Sequence, residues 1–499
     1  MTTVLFGQSY YLRFDPKLWA AMQPYPPLGS LYAAAVARQA GYPVALFDAM
    51  LAESEAGWEA ALAAHRPQIA VLYEDSFNYL SKMCLLRMRE AAFKMAEAAK
   101  AQGCTVIVSG SDATDHAAKY FAHGADYILI GEGENTLVEL LDALTGDNPA
   151  DLRAIAGLCW PQGDTITRTA ERPFERNLDR FPFPAWDLLD ISRYRDIWLE
   201  RHGYYSMNMA TTRGCPYRCN WCAKPIYGRR YNSRSPQNVV QELAWLKQNF
   251  APDHIWFADD IFGLKPGWIE EFSRLAQAGD AVIPFKCLQR VDLITPDVAA
   301  ALRRAGCRTV WMGAESGSQK ILDAMDKDAS VQQIYDAAAR LHREGIEVGF
   351  FLQFGYPGES WADIQRTLQM VRDCRPDDIG ISVSYPLPGT QFYENVRLQL
   401  GDKTNWVDSD DLAMLYRGPY PEGFYRVLHH RVHHEFRARK AWRSLTAALR
   451  RPSTLRPVHL RQAASIPVNL ARLAKSSRRL KRLARQPQIT NLQPADQKP

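Results

Sequence analysis

Thr212-Arg-Gly-Cys215-Pro-Tyr-Arg-Cys219-Asn-Trp-Cys222 sets three cysteines at C-x3-C-x2-C spacing, in a stretch that Gly214 and Pro216 favour as a loop. A loop of this length lets three thiolates converge on one point. Three chemistries compete for it. A structural zinc site wants four ligands, usually in two pairs. The other cysteines (Cys84, Cys104, Cys159, Cys287, Cys307, Cys374) stand alone and supply no second pair. A thioredoxin-like redox pair explains Cys219 and Cys222 but leaves Cys215 idle. A 4Fe–4S cluster uses all three thiolates and keeps one iron open for a reactive ligand.

From about residue 206, short apolar runs alternate with amphipathic stretches. Strands are expected at Asn208–Thr212, Ile255–Ala258, Phe285–Leu288, Thr309–Gly313, Val348–Gln353 and Ile379–Ser384. Helices fit at Gln237–Asn249, Trp268–Ala278, Pro296–Ala305, Ser318–Met325, Val331–Glu344 and Trp361–Asp373. Residues 206–395 thus read as a partial (β/α)6 TIM-type barrel, whose chemistry belongs at the carboxyl ends of its strands. The cysteine loop follows the first of them.

Upstream, residues 1–145 show the same alternation with a shorter period. Strands at Val4–Gly7, Val44–Asp48, Ile69–Tyr73, Val106–Gly110 and Tyr127–Gly131 enclose helices, the pattern of an α/β doubly wound parallel sheet. Ligands of such sheets sit beyond the strands' carboxyl ends. Those ends are polar and glycine-rich: Asp48, Glu74, Ser109-Gly110 and Gly131-Glu132. They read either as a ligand mouth or as plain turns. Residues 146–205 form a connector, with a hairpin around Gln162-Gly163-Asp164 and a proline-broken crossing at Arg180-Phe-Pro-Phe-Pro-Ala-Trp186. Residues 396–499 make the C-terminal segment.

The cysteine loop after the first strand of a partial barrel closely resembles that of the radical S-adenosylmethionine enzymes. Supporting matches follow later strands: Phe257-Ala-Asp259-Asp260, Met312-Gly-Ala-Glu315-Ser316-Gly317-Ser318, Gly355-Tyr-Pro-Gly-Glu359 and Pro386-Leu-Pro-Gly-Thr390. The N-terminal unit, with Tyr25-Pro-Pro-Leu-Gly29 and Gly131-Glu-Gly-Glu134, is similar to the cobalamin-binding domain of one branch, which includes cobalamin-dependent radical methylases and the anaerobic magnesium-protoporphyrin ester cyclase. The resemblance covers about residues 1–425. It implies that Cys215, Cys219 and Cys222 ligate three irons of a 4Fe–4S cluster. The fourth iron then chelates S-adenosylmethionine, which one electron cleaves to a 5′-deoxyadenosyl radical. It further implies that Trp221 packs on adenine, that Glu315 bonds ribose, and that Ser316 and Asp259 contact cofactor or substrate. Trp221 as a core aromatic and Ser316 as a helix cap are the plainer readings. Arg290 and Gln353, near strand ends, are further candidates for meeting a carboxylate. Cobalamin is expected at the mouth of the first sheet. None of the eleven histidines has Asp two residues before and Gly three after, so no histidine is nominated as a cobalt ligand.

Composition bounds the rest. At 47% hydrophobic and 23% charged the chain is neither disordered nor fibrous, and no run is apolar enough to span a bilayer. The N-terminus lacks a secretory leader and the nine cysteines are odd in number, so the cytoplasm is expected. Residues 426–485 hold 17 Lys and Arg against Glu435 alone, +16, while the net charge of the whole is +5. This basic tail carries Leu470, Leu473, Leu480 and Leu483 on one helical face, the signature of a peripheral contact with the inner face of a membrane. A solvated tail packed on the acidic body is the alternative, and nucleic acid is disfavoured because aromatic interleaving is sparse. The expected partners are a small-molecule substrate and an electron donor such as flavodoxin or ferredoxin. The expected reaction is methyl transfer to an unactivated carbon. Radical oxidation or ring closure without methyl transfer, and a cobalamin or iron–sulfur sensor, are the rivals.

Overall fold

Strand Ile69–Tyr73 is buried at all five positions, as a strand covered by helices on both faces must be. In the computed structural model, which describes residues 3–83, 85–146, 151–223, 226–401, 405–450 and 457–485, it is the third strand of a seven-stranded sheet. The strands are β1 (Val4–Gly7), β2 (Val44–Leu46), β3 (Ile69–Tyr73), β4 (Thr105–Ser109), β5 (Tyr127–Leu129), β6 (Leu158–Gln162) and β7 (Thr165–Arg168). Their order is β2-β1-β3-β4-β5-β6-β7, with the first five parallel. This flavodoxin-like order reverses between β1 and β3, where such sheets open a crevice for ligands.

The hairpin β6–β7 does not stay within a connector. It adds antiparallel to β5, pairing Ile128 with Cys159 and Leu129 with Leu158, and all four side chains are buried. A helix, Ile191–His202, also forms in this region, capped by Asp190 and burying Ile191, Tyr194 and Trp198.

The second sheet holds β8 (Ser206–Met209), β11 (His254–Phe257), β12 (Phe285–Gln289), β13 (Cys307–Glu315), β14 (Glu347–Phe354) and β15 (Asp378–Val383), all parallel in chain order. It curls into the expected six-stranded half-barrel. Between β8 and β11, β9 (Thr212–Arg213) and β10 (Asn232–Ser233) form a two-residue antiparallel ladder that closes the cysteine loop. The covering helices start at strong caps. Ser330 with Gln333 and Ser360 with Asp363 make capping boxes for Val331–Arg343 and Trp361–Cys374.

The first unit reaches into the barrel. Tyr25 packs on Trp256 at 4.8 Å and bonds Ser206 at 3.0 Å, while Asn208 donates to the Pro26 carbonyl at 2.8 Å. Trp198 donates to the Pro24 carbonyl at 2.7 Å, so the connector helix clamps the same segment.

The chain closes with two long helices, Glu422–Arg450 and Pro457–Leu483, packed against each other. The leucine face expected to meet a membrane is divided: Leu480 is fully buried and Leu483 lies against the main core, while Leu470 is exposed and Leu473 half-buried. No described helix is long and apolar enough to cross a membrane.

Candidate active site

The first barrel strand ends early because its next amides have another acceptor. The buried Asp259 carboxylate, at the carboxyl end of β11, takes Thr211 N at 2.7 Å, Thr212 N at 2.8 Å and Thr211 Oγ1 at 2.6 Å. Burial pushes Asp259 up to about 6, against those hydrogen bonds. It therefore fixes the take-off of the cysteine loop. Gly214 then turns the chain at φ 79°, where a Cβ would fall 2.2 Å from the Arg230 carbonyl, so no other residue fits.

Asn220 holds the loop from within. Its side chain donates to the Ala324 carbonyl at 2.8 Å and to Asp326 at 2.9 Å, and accepts from Tyr356 at 2.9 Å. Its backbone N–H donates to the Met325 carbonyl at 3.1 Å and its carbonyl accepts from Phe392 N at 3.0 Å. The cysteine loop is thereby held at the C-terminal end of the helix Gln319–Ala324, which follows β13. Cys219 is buried; Cys215 and Cys222 are half-buried. Among the described residues no three His, Cys, Asp or Glu groups stand close enough together to hold one metal ion. A four-iron cluster takes each thiolate on a separate iron.

Glu315 ends β13 at φ 53°, where a bulge turns its side chain onto Lys327, with Nζ 2.9 Å from Oε1. Both are buried. Burial opposes the Lys327 charge, but Glu315 and the nearby Cys219 thiol outweigh it and hold its pKa above the ordinary lysine value. Arg290 donates to the carbonyls of Lys327 at 3.0 Å and Asp328 at 2.9 Å, and its guanidinium lies 3.5 Å from the ring centre of Tyr217 in the cysteine loop. Gln353 is buried on β14 with neither amide atom hydrogen-bonded. Trp221 packs with Ile321, Met325, Tyr356 and Phe392. Ser316 bonds Thr367 at 3.1 Å and accepts from Ser318 N at 3.2 Å, tying the strand end to the helix Trp361–Cys374.

The mouth of the first sheet lies beside the cysteine loop. Arg213, one residue before Gly214, reaches Glu134 at 2.7 Å and Glu132 at 3.2 Å, all three buried. The aromatic rings of Phe77, Phe181 and Tyr227 surround its guanidinium. Gly131, at φ 75°, faces the Ile226 carbonyl just after the loop. Glu74 accepts Ser9 N at 3.0 Å, and burial pushes it up to about 7. The Ser109 carbonyl accepts Glu74 N at 2.9 Å, and a Cβ on Gly110 would fall 2.9 Å from the Glu74 side chain. Asp48 stands apart. Its two oxygens take the Tyr194 hydroxyl at 2.9 Å, and burial raises it to about 6.

Sequence reasoning missed Lys327, Arg213 and Asn220. Arg213 and Asn220 lie inside the quoted motif, yet their partners are 79 and 106 residues away. Lys327 has no local signal.

Residues 209–371 match the Radical SAM superfamily. An uncharacterized methyltransferase of Pyrococcus horikoshii is 31% identical over 272 residues, which are 54% of this chain and 57% of that protein. The anaerobic magnesium-protoporphyrin IX monomethyl ester cyclase of Rubrivivax gelatinosus is 28% identical over 288 residues, 57% of this chain and 50% of the cyclase. The chain therefore spans about half the length of these relatives. The fold is similar to that of OxsB, a cobalamin-dependent S-adenosylmethionine radical enzyme solved with aqua-cobalamin and S-adenosylmethionine bound. The TM-score is 0.72 over 97% of this chain and 75% of that one, at 16% identity. The three cysteines, the half-barrel that carries them and these likenesses agree: residues 209–371 are a radical SAM domain.

Proposed function

We propose that this protein is a cytoplasmic, cobalamin-dependent radical S-adenosylmethionine enzyme that transfers a methyl group to an unactivated carbon of a small molecule. One observation carries the reading. The cysteine loop stands between the buried Lys327–Glu315 pair on the barrel side and the Arg213–Glu132–Glu134 bridge to the first sheet's mouth. Two strand-end sites thus adjoin a single loop.

Cys215, Cys219 and Cys222 are the ligands of a 4Fe–4S cluster in this reading. The residues at the first mouth fit cobalamin. The strand order reverses there, and the Tyr10 and Ser81 hydroxyls are buried without hydrogen-bond partners. When bound, the cluster supplies the electron that cleaves S-adenosylmethionine and cobalamin supplies the methyl group. The chain's own part is placement. Lys327 offers a buried cation beside Cys219 for a carboxylate, and Glu315 an acceptor for ribose hydroxyls. Gln353 offers an unspent amide to the substrate. Trp311 and Phe351, stacked at 4.8 Å on the barrel's inner face, give an apolar wall, with Phe351 41% exposed. An electron donor such as flavodoxin or ferredoxin, and a peripheral membrane contact through the basic tail, belong to the same proposal. The likeness to the cyclase favours a second reading, oxidative ring closure without methyl transfer.

Anaerobically reconstituted protein is expected to show a 4Fe–4S spectrum that Cys219→Ala abolishes, and to cleave S-adenosylmethionine under reduction. If neither occurs, the enzyme reading falls. Transfer of label from methyl-labelled S-adenosylmethionine to product separates methylation from ring closure.

A further inference from the structure

A cavity of about 460 Å³ lies between the helix Trp361–Cys374 of the barrel and the two C-terminal helices, away from the cysteine loop. Its floor is apolar, formed by Leu368, Val371, Phe436, Leu470 and Leu473, with Trp442 at the side. Trp442 is 60% exposed and Leu470 51%, uncommon exposures for large apolar side chains.

Four guanidiniums also line it: Arg372, Arg375, Arg439 and Arg443. Glu435 is the one acid in the lining, and it is oversubscribed. It pairs with Arg372 at 2.6 Å, Arg439 at 3.1 Å and Arg431 at 3.3 Å. Of the other nearby acids, Asp377 accepts from His342 at 3.1 Å and Val348 N at 2.9 Å, and Asp373 accepts from Tyr335 at 3.2 Å and Gln369 at 2.8 Å. Arg443 donates to the Pro376 carbonyl at 3.2 Å. Burial depresses its pKa, Asp377 opposes the shift and Arg375 and Arg439 add to it, while the lining sets four guanidiniums against the one carboxylate of Glu435. An apolar cleft of this size with surplus cations at its rim suits an amphiphile with an anionic head.

We infer that this cleft receives an acyl chain of an anionic membrane lipid, its phosphate held by Arg375, Arg439 and Arg443, and so seats the protein on a membrane surface. This deepens the membrane contact proposed above and places it at the groove that Leu470 and Leu473 of the last helix line, rather than at Leu480, which is buried in the core.

The test is co-flotation of the full chain with phosphatidylglycerol or phosphatidylcholine vesicles. The protein is expected to float with phosphatidylglycerol, less so as salt rises, and to stay behind with phosphatidylcholine. Arg439→Glu with Arg443→Glu lowers the bound fraction roughly tenfold or more, and Trp442→Ala lowers it several-fold, with far-UV circular dichroism unchanged in each. No flotation on phosphatidylglycerol, equal flotation on both lipids, or variants that float like the parent would each overturn the inference. Flotation requires neither cluster nor cobalamin, so its failure leaves the radical reading standing.

Discussion

Lys327 Nζ and Glu315 Oε1 meet at 2.9 Å because residue 313 is glycine: a Cβ there would fall 2.5 Å from the carboxylate and 2.6 Å from the ammonium. Removing one partner of a buried pair leaves the other's charge without compensation, at a cost of about 3–5 kcal/mol. Lys327→Met is therefore expected to lose stability on that scale in urea unfolding. Adding Glu315→Gln recovers part of the loss, because the stranded charge is gone. Additive losses in the double variant would show that the two side chains do not depend on each other.

Gly214→Ala tests the loop's geometry. With the Arg230 carbonyl 2.2 Å from the new Cβ, the loop must move, and the three thiolates with it. Iron bound after anaerobic reconstitution is expected to fall severalfold while the far-UV spectrum stays native. Full iron loading would mean that the loop tolerates a different path.

Arg213 joins the two sheets, and Arg213→Met would leave Glu132 and Glu134 buried together without a cation. A loss of about 3–5 kcal/mol follows from stranding buried charge. Arg213→Lys recovers little, because an ammonium cannot reach both carboxylates as the guanidinium fork does. Cobalamin retention on gel filtration is expected to drop in both variants, since the first sheet's mouth loses its tie to the loop.

Glu359 predicts a pH dependence. Its carboxyl is buried, accepts Gly355 N at 2.7 Å through Oε2 and leaves Oε1 unpaired; burial, helped by Asp363, pushes it up to about 8. A raised carboxyl pKa means that the folded state prefers the neutral acid. Its contribution is full below about pH 4.5 and is lost as pH rises to about 8, at up to about 1.4 kcal/mol per pH unit. The melting temperature is expected to fall between pH 6 and pH 8 (roughly the upper half of that window) and to fall less in Glu359→Gln. Identical slopes would remove Glu359 as the cause.

Most strands were legible because parallel strands buried on both faces carry uninterrupted apolar runs, as in β3, or runs broken only where one face opens, as at Phe351 in β14. The end of β8 was not, because the Asp259 carboxylate that takes the Thr211 and Thr212 amides arrives from 48 residues away. The cysteine trio was legible from its spacing; the groups that hold it were not, since Asn220 finds its partners only when the end of the helix Gln319–Ala324 is folded against it. In the tail, periodicity located the leucine face of Pro457–Leu483 but carries no information on whether that face meets solvent, lipid or, as at Leu480, protein.

The segment Pro24–Pro27 has a consequence for exchanging parts between proteins of this architecture. Tyr25 rests on Trp256 and Ser206, the Pro26 carbonyl accepts from Asn208, and Trp198 grips Pro24. The barrel's first strand is thus lined by residues encoded just before the helix Leu28–Gln39 of the first unit. A graft that joins a foreign N-terminal unit to this barrel must bring Tyr25 and its flanking prolines along. Without them the recipient exposes Trp256 and leaves the amide of Asn208 without its carbonyl, so a cut that looks clean along the chain is not clean in space.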